Sequence, residues 1–154
     1  MIRVIEGNLL NATTDIIAHQ VNCLGAMNSG VARAIRKSDP EIFRDYHNIC
    51  LKYSPDELIG NVRYFRTKNG RIIANLFAQK SYGYDGKQYT DVNMLKKCFE
   101  NLRDFSEKHG KLSIAMPYKI GCVRGGANWT EVYKIIDEVF ENYNVELWRL
   151  TNND

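Results

Sequence analysis

The chain is poor in the residues that staple or metallate a small domain. Its four cysteines, Cys23, Cys50, Cys98 and Cys122, form no C-x-x-C pair, and only His19, His47 and His109 stand beside them. No zinc-ligand spacing arises, so a structural metal is not expected. Reduced thiols in a cytoplasmic setting are the expected state. No apolar run approaches membrane-spanning length, and Met1 opens directly onto a strand-like segment. Neither a membrane anchor nor a leader peptide is therefore expected. Internal repeats, linkers and low-complexity tracts are also missing. Two phosphate motifs are absent as well. Without G-x-x-x-x-G-K-[ST], a P-loop NTPase is excluded, and without G-x-G-x-x-G after the first strand the pattern of dinucleotide oxidoreductases is not met.

What is present fits one globular domain over residues 1–154. With 44% hydrophobic and 25% charged residues, the chain can bury a core, which argues against disorder. The net charge of +3 suits an anionic ligand without demanding nucleic acid. The excess lies in residues 1–80, with 11 basic against 7 acidic side chains. Arg63, Arg66, Lys68 and Arg71 cluster there around one turn, as either a solvated hairpin or a footprint for a phosphate backbone.

Strand-like and helix-like segments alternate, the signature of a three-layer α/β domain. Strands are predicted at Met1–Glu6, Asp15–Asn22, Asn61–Thr67, Arg71–Ala78, Leu112–Met116 and Val145–Leu150. The apolar middle of Asp15–Asn22 predicts burial on both faces. Asn69-Gly70 predicts a hairpin between the third and fourth strands. One helix is expected from about Val31 to Lys37. Asp39-Pro40 reads as a cap followed by a first-turn proline, opening a helix to about Tyr53 with Ile42, Tyr46 and Ile49 or Cys50 inward. Thr90 or Asp91 caps a helix that buries Leu95, Phe99, Leu102 and Phe105 and ends at Gly110. Asn128 with Glu131 reads as a capping box for a helix carrying Val132, Ile135, Ile136, Val139 and Phe140 inward.

Two glycine-rich loops each lead from a buried strand into a helix: Cys23–Gly30 and Tyr118–Ala127. Loops at the carboxyl ends of strands, beside helix N-termini, are where α/β sheets hold ligands. Exposed amides and the helix dipole favour an anion there, and glycine lets the backbone approach a phosphate closely. The expected ligand is a phosphate-bearing nucleotide.

Four segments then carry a resemblance. They are G-N-L-L (Gly7–Leu10), H-Q-V-N-C-L-G-A-M-N-S-G-V-A (His19–Ala32), N-L-F-A-Q (Asn75–Gln79) with Y-G-Y-D-G-K-Q-Y-T-D (Tyr82–Asp91), and M-P-Y-K-I-G-C-V-R-G-G-A-N-W (Met116–Trp129). In order and spacing the chain resembles macrodomains, the ADP-ribose-binding modules, over nearly its whole length. The nearest flavour is the compact branch of terminal ADP-ribose glycohydrolases and ADP-ribose-1″-phosphate processing proteins. The resemblance implies a mixed central sheet flanked by helices and a cleft shaped for ADP-ribose. It implies that Asn8, in place of the usual aspartate, and the Leu9 amide meet adenine, and that Asn22 meets the distal ribose. It places Ser29, Gly30 and Val31 in a first phosphate loop, with Gly121, Cys122, Val123, Arg124, Gly125 and Gly126 in a second. Arg124 lies over the phosphates or extends into solvent.

The resemblance is less direct for chemistry. Glycohydrolases of that branch share the work between a lysine after the N-L-F-like strand and a loop aspartate. Here Gln79 falls in the lysine register and Lys80 one residue later, while no carboxylate lies between Lys119 and Asn128. Candidate catalytic residues are Lys80, as nucleophile, and His19 and Asp91, as acid or base. The competing readings are a solvated loop lysine, a core histidine and a helix cap. Trp129 reads as a packing anchor, and Cys122 has no partner base. The loop Gln79–Tyr89 is long enough to cover the distal ribose with Tyr82, Tyr84 and Tyr89. The expected partner is ADP-ribose or an ADP-ribosylated macromolecule, with nucleic acid an option and no membrane. The expected state is a metal-independent, cofactor-free monomer. The alternatives are a non-catalytic ADP-ribose reader and a nucleic-acid-directed glycohydrolase.

Overall fold

Runs of β-branched and apolar residues set the strands, and capping residues set the helix starts. The computed structural model describes residues 1–150; residues 151–154 of the expected domain lie outside the described residues. The strands are β1 (Ile2–Glu6), β2 (Ile16–Asn22), β3 (Val62–Arg66), β4 (Ile72–Gln79), β5 (Ile114–Pro117) and β6 (Val145–Arg149). The helices are α1 (Gly30–Ser38), α2 (Pro40–Lys52), α3 (Pro55–Leu58), α4 (Val92–Lys108) and α5 (Trp129–Val139).

The strands form one sheet in the order β1-β6-β5-β2-β4-β3. All neighbours run parallel except β3, which folds back on β4 through the Lys68-Asn69-Gly70 turn. Gly70 takes φ +86° there, a conformation that costs glycine nothing. The sheet is therefore mixed, as expected.

Each face of the sheet is covered. On one, Ile16, Ala18, Leu76, Met116 and Leu147 pack under α4 and α5 through Leu95, Phe99, Leu102, Val132 and Ile136. On the other, Ile17 and Ile73 meet Ile35 of α1 and Ile42 of α2, while Val21 and Phe77 meet Tyr46. Alternate residues of β2 and β4 thus feed opposite cores, and burial of each large apolar side chain contributes roughly 1.5–3 kcal/mol.

Asp39 caps α2 by accepting from the Glu41 amide, with Pro40 opening the helix. Asp91 caps α4 from the Met94 amide, and Asn128 caps α5 from the Glu131 amide. Three local features depart from the expectations. Helix α4 buries Cys98 and Ser106, whereas Phe105 is only half-buried and stacks on Tyr64. Helix α3 is a single turn held by a Ser54–Glu57 capping box, and Leu9–Asn11 forms a 3-10 turn capped by Asn8. Both are too short for hydrophobic periodicity to register.

A bulge interrupts β2 and β4 where they reach the site. Val21 pairs with Phe77, but Asn22 pairs with Gln79, so Ala78 is passed over. Bulges re-aim the side chains that follow them, and the residues re-aimed here are Asn22 and Gln79.

Candidate functional site

A cavity of about 430 Å³ opens at the carboxyl ends of β2 and β5, between the two glycine-rich loops. Its lining includes Asn22, Ser29, Gly30, Val31, Gln79, Gly121, Val123, Arg124 and Gly125. Val21, Ala32, Pro117 and Ile120 give it apolar walls. The charged side chains in the lining are Lys119 and Arg124, with no carboxylate among the described lining residues. Such a cavity favours an anion.

Asn22 shapes the first loop. Its Oδ1 accepts from the Leu24 amide at 2.9 Å and its Nδ2 donates to Ala26 O at 2.9 Å. The buried Tyr46 hydroxyl, reaching over from α2, donates toward Asn22 O at 2.8 Å and Oδ1 at 2.9 Å. Asn22 is thus both a loop clamp and a cavity wall. The loop then delivers Ser29 to the start of α1, where its side chain makes no capping bond. The first-turn amides of Gly30, Val31 and Ala32, orphaned as at every helix start, stand in the cavity wall with the positive end of the α1 dipole.

The second loop is a backbone cradle. Lys119 and Gly121 take φ of +61° and +78°. The Cys122 amide donates to Lys119 O at 2.9 Å, and the Ala127 amide to Gly121 O at 3.1 Å. Between them, the amides of Val123, Arg124 and Gly125 donate to no acceptor among the described residues. A β-carbon at Gly125 would collide with Thr90 Oγ1 and Gly121 O.

A polar network braces this cradle. Gln20 Nε2 donates to Gln79 Oε1 at 2.5 Å and to Thr90 Oγ1 at 2.8 Å, and Thr90 Oγ1 donates to Gly121 O at 2.7 Å. The Tyr89 and Thr90 amides both donate to Gly125 O. Above the cradle, Tyr82, Gly83 and Tyr84 from the long loop line the cavity. The Arg124 guanidinium lies 4.6 Å from the Tyr84 ring centroid. Of the two readings of Arg124, the structure has it lining the cavity, stacked on the cover loop.

Several predicted residues fall elsewhere. Lys80 is outside the lining: its ammonium lies 2.6 Å from Asp56 Oδ1 of α3, and that carboxylate raises the lysine pKa. The bulge brings Gln79 inward, and Lys80 turns out. Asp91 is also outside, engaged as the α4 cap. His19 borders the cavity floor, but it is 1% exposed and its Nε2 lies 2.6 Å from Asn75 Oδ1. Burial lowers its pKa from 6.5 to about 4, so the imidazole is neutral and a weak base near neutrality. None of the three catalytic candidates stands as a charged group in the cavity.

Asn8 and Leu9 are likewise not in the lining. Asn8 Oδ1 accepts from the Leu10 amide, and Leu9 is buried against Ile17 and Ile35. Cys122 lies behind the loop, its thiol pushed up to about 11 by burial. Gly126 serves packing: a β-carbon there would sit 2.9 Å from Lys87 O. Trp129 packs edge-on against Tyr118 with centroids 5.1 Å apart, as an anchor. In the basic hairpin cluster, Arg63 pairs with Asp45 at 2.9 Å, Arg71 donates to Leu10 O and Ala12 O, Arg66 donates to Gly70 O at 3.1 Å, and Lys68 lies 4.0 Å from Glu41. All four cations of that cluster therefore have partners within the chain.

The sequence reading missed Gln20, Thr90 and Tyr46 as builders of the site. Gln20 and Thr90 lie inside quoted motifs, so a signal existed; Tyr46 read only as a core residue. No group of three or more His, Cys, Asp or Glu among the described residues is placed to hold a metal ion, and no helix among them is long and apolar enough to cross a membrane.

Known proteins are similar to this chain in sequence and in fold. A DNA ADP-ribosyl glycohydrolase of Thermus aquaticus is 29% identical over 96% of this chain, which spans 40% of that protein's length. A 17.5 kDa protein of enterobacteria phage T4, encoded in the tk-vs intergenic region, is 30% identical over 89% of this chain and 88% of its own. The solved macrodomain of Thermus aquaticus DarG superposes with a TM-score of 0.78 at 25% identity, covering 97% of this chain and 98% of that one. DarTG of Thermosipho africanus, solved in complex with ADP-ribose, shares the fold with a TM-score of 0.80 at 17% identity over 99% of this chain and 42% of that one. The family model described as Macro domain matches residues 18–136, which take in most of β2, both glycine-rich loops and the cavity between them; the chain belongs to that family.

Proposed function

We propose that the chain binds ADP-ribose and releases it from modified macromolecules or processes its 1″-linked derivatives. One observation carries the reading: two sets of residues with unpaired amides, Gly30–Ala32 at the start of α1 and Val123–Gly125 in the second loop, line a single cavity that has cations and no carboxylate in its lining. A diphosphate spans two such sets, with its charge stabilised by amide dipoles and Arg124. Pro117, Ile120 and Val21 offer apolar surface to the sugars and base. The family, together with relatives named as DNA ADP-ribosyl glycohydrolase and ADP-ribose 1″-phosphate phosphatase, supports this ligand class. Four unpaired thiols support a reducing, cytoplasmic setting.

In this reading the chain contributes orientation and electrostatic stabilisation, while water supplies the nucleophile. Gln79, held by Gln20 and Ser81 at the cavity edge, orders that water in this reading.

A second reading, a non-catalytic ADP-ribose reader, is favoured by the lining's lack of a carboxylate and by the Lys80–Asp56 pair. Calorimetric titration with ADP-ribose against AMP and NAD tests the ligand. Selective ADP-ribose binding is expected, and no preference for it sinks the proposal. A hydrolysis assay on ADP-ribosylated substrates then separates enzyme from reader.

A further inference from the structure

We propose that the groove between α1 and the start of α2 docks single-stranded nucleic acid, so that a modified nucleotide on the strand reaches the adjoining cavity. What the cavity then does rests on the ADP-ribose reading above. The groove, about 620 Å³, carries Arg33, Arg36, Lys37 and Arg44 around Phe43. Arg33, Arg36 and Lys37 share one side of α1 through their three- and four-residue spacing, and Arg44 faces them from α2. All four are exposed. None has a carboxylate partner within 4.0 Å among the described residues.

The neighbouring acids are engaged elsewhere: Asp45 with Arg63, Glu41 with Lys68, and Asp39 as the α2 cap. Four uncompensated cations in one groove call for a polyanion. The groove also holds a column of planar groups. The Arg36 guanidinium sits 3.7 Å from the Phe43 ring centroid, and Phe43 stacks on His47 at 25°. An exposed guanidinium backed by an aromatic ring offers a face on which a base stacks, which an acidic peptide does not use. Asn28 lines both the groove and the cavity, so a strand in one leads to the other.

The test is binding of labelled, unmodified oligothymidine to the whole chain at 50 and 200 mM salt, with polyglutamate as comparator and ADP-ribose titrated in parallel. Four phosphate contacts weaken binding by about fifty-fold between those salt concentrations. The R33Q/K37Q/R44Q variant, built from exposed helix-compatible changes, is expected to keep its thermal midpoint and ADP-ribose affinity while its salt response falls to about three-fold. Arg36→Lys keeps the charge and loses the plane; it is expected to weaken oligothymidine about five-fold with an unchanged salt response. Undiminished oligothymidine binding by the triple variant overturns the proposal. So does polyglutamate binding as tightly as oligothymidine, which points to an acidic protein instead. Loss of ADP-ribose binding by the unaltered chain would sink the cavity reading while leaving the oligothymidine result to judge the groove.

Discussion

The Arg124 guanidinium rests on the Tyr84 ring, 4.6 Å from its centroid, joining the second glycine loop to the cover above it. An exposed pair of this kind contributes about 0.5–1 kcal/mol, and Arg124 also brings a positive charge to the cavity. Arg124→Ala is expected to weaken ADP-ribose about ten-fold, equivalent to about 1.4 kcal/mol. Tyr84→Ala is expected to cost less, and Tyr84→Phe almost nothing, since the ring face is what matters. Calorimetry on the three variants checks the order.

The glycines of the two loops should respond differently to alanine. Gly125→Ala forces a β-carbon into Thr90 Oγ1 and Gly121 O. It is expected to destabilise the fold by about 1–3 kcal/mol, as overpacking does, and to abolish binding. A β-carbon at Gly30 meets nothing within 4 Å, but the residue has φ +58°. Gly30→Ala should cost about 1–2 kcal/mol and weaken binding only in part. Urea midpoints and ADP-ribose titrations on both variants separate a clash from a backbone penalty.

Lys80 and Gln79 are adjacent in sequence and opposite in exposure. Lys80→Ala is expected to leave affinity, turnover and thermal midpoint unchanged, because its ammonium meets Asp56 in solvent. Gln79→Ala removes an acceptor from Gln20 Nε2 and a donor from Ser81 O. It should lower binding and any turnover at least ten-fold, about the effect of one lost charged or polar contact at a ligand. A ten-fold loss of turnover in Lys80→Ala would return the lysine to the chemistry.

His19 predicts a pH dependence with a definite sign. Its pKa is lowered by burial from 6.5 to about 4, so between those values the unfolded chain binds a proton that the folded chain does not. Stability is full above about pH 6.5 and declines as pH falls towards 4, by roughly 3 kcal/mol from this group. His19→Gln, which stays neutral, should lack that decline. Urea unfolding of both proteins from pH 4 to 7 measures it. Turnover should show no break near 6.5 that disappears in His19→Gln.

Sequence pattern carried the strand and helix order well, because alternation and caps are local. Asp39-Pro40, Asp91 and Asn128 start helices where they were expected, and Asn69-Gly70 turns the hairpin. The two glycine loops were equally legible, since the need for positive φ and close approach is written as glycine. What escaped was set by tertiary partners. Asp56 lies 24 residues before Lys80 on a one-turn helix that periodicity cannot register. The bulge beyond Val21 depends on how two strands meet, and it decided that Gln79, not Lys80, enters the cavity. Arg63 belongs to a cluster that the sequence leaves as a solvated hairpin or a phosphate footprint, and its partner Asp45 comes from α2, 18 residues away.

The amides of Tyr89 and Thr90 share a single acceptor, Gly125 O, and Thr90 also holds Gly121 O. The base of the long loop and the second glycine loop are therefore tied together at two carbonyls. A change confined to the tip, between Ser81 and Gln88, leaves those bonds in place. In the ADP-ribose reading, the tip governs how fast ligand passes the mouth, and apart from the Tyr84–Arg124 contact it leaves the geometry of the second loop alone.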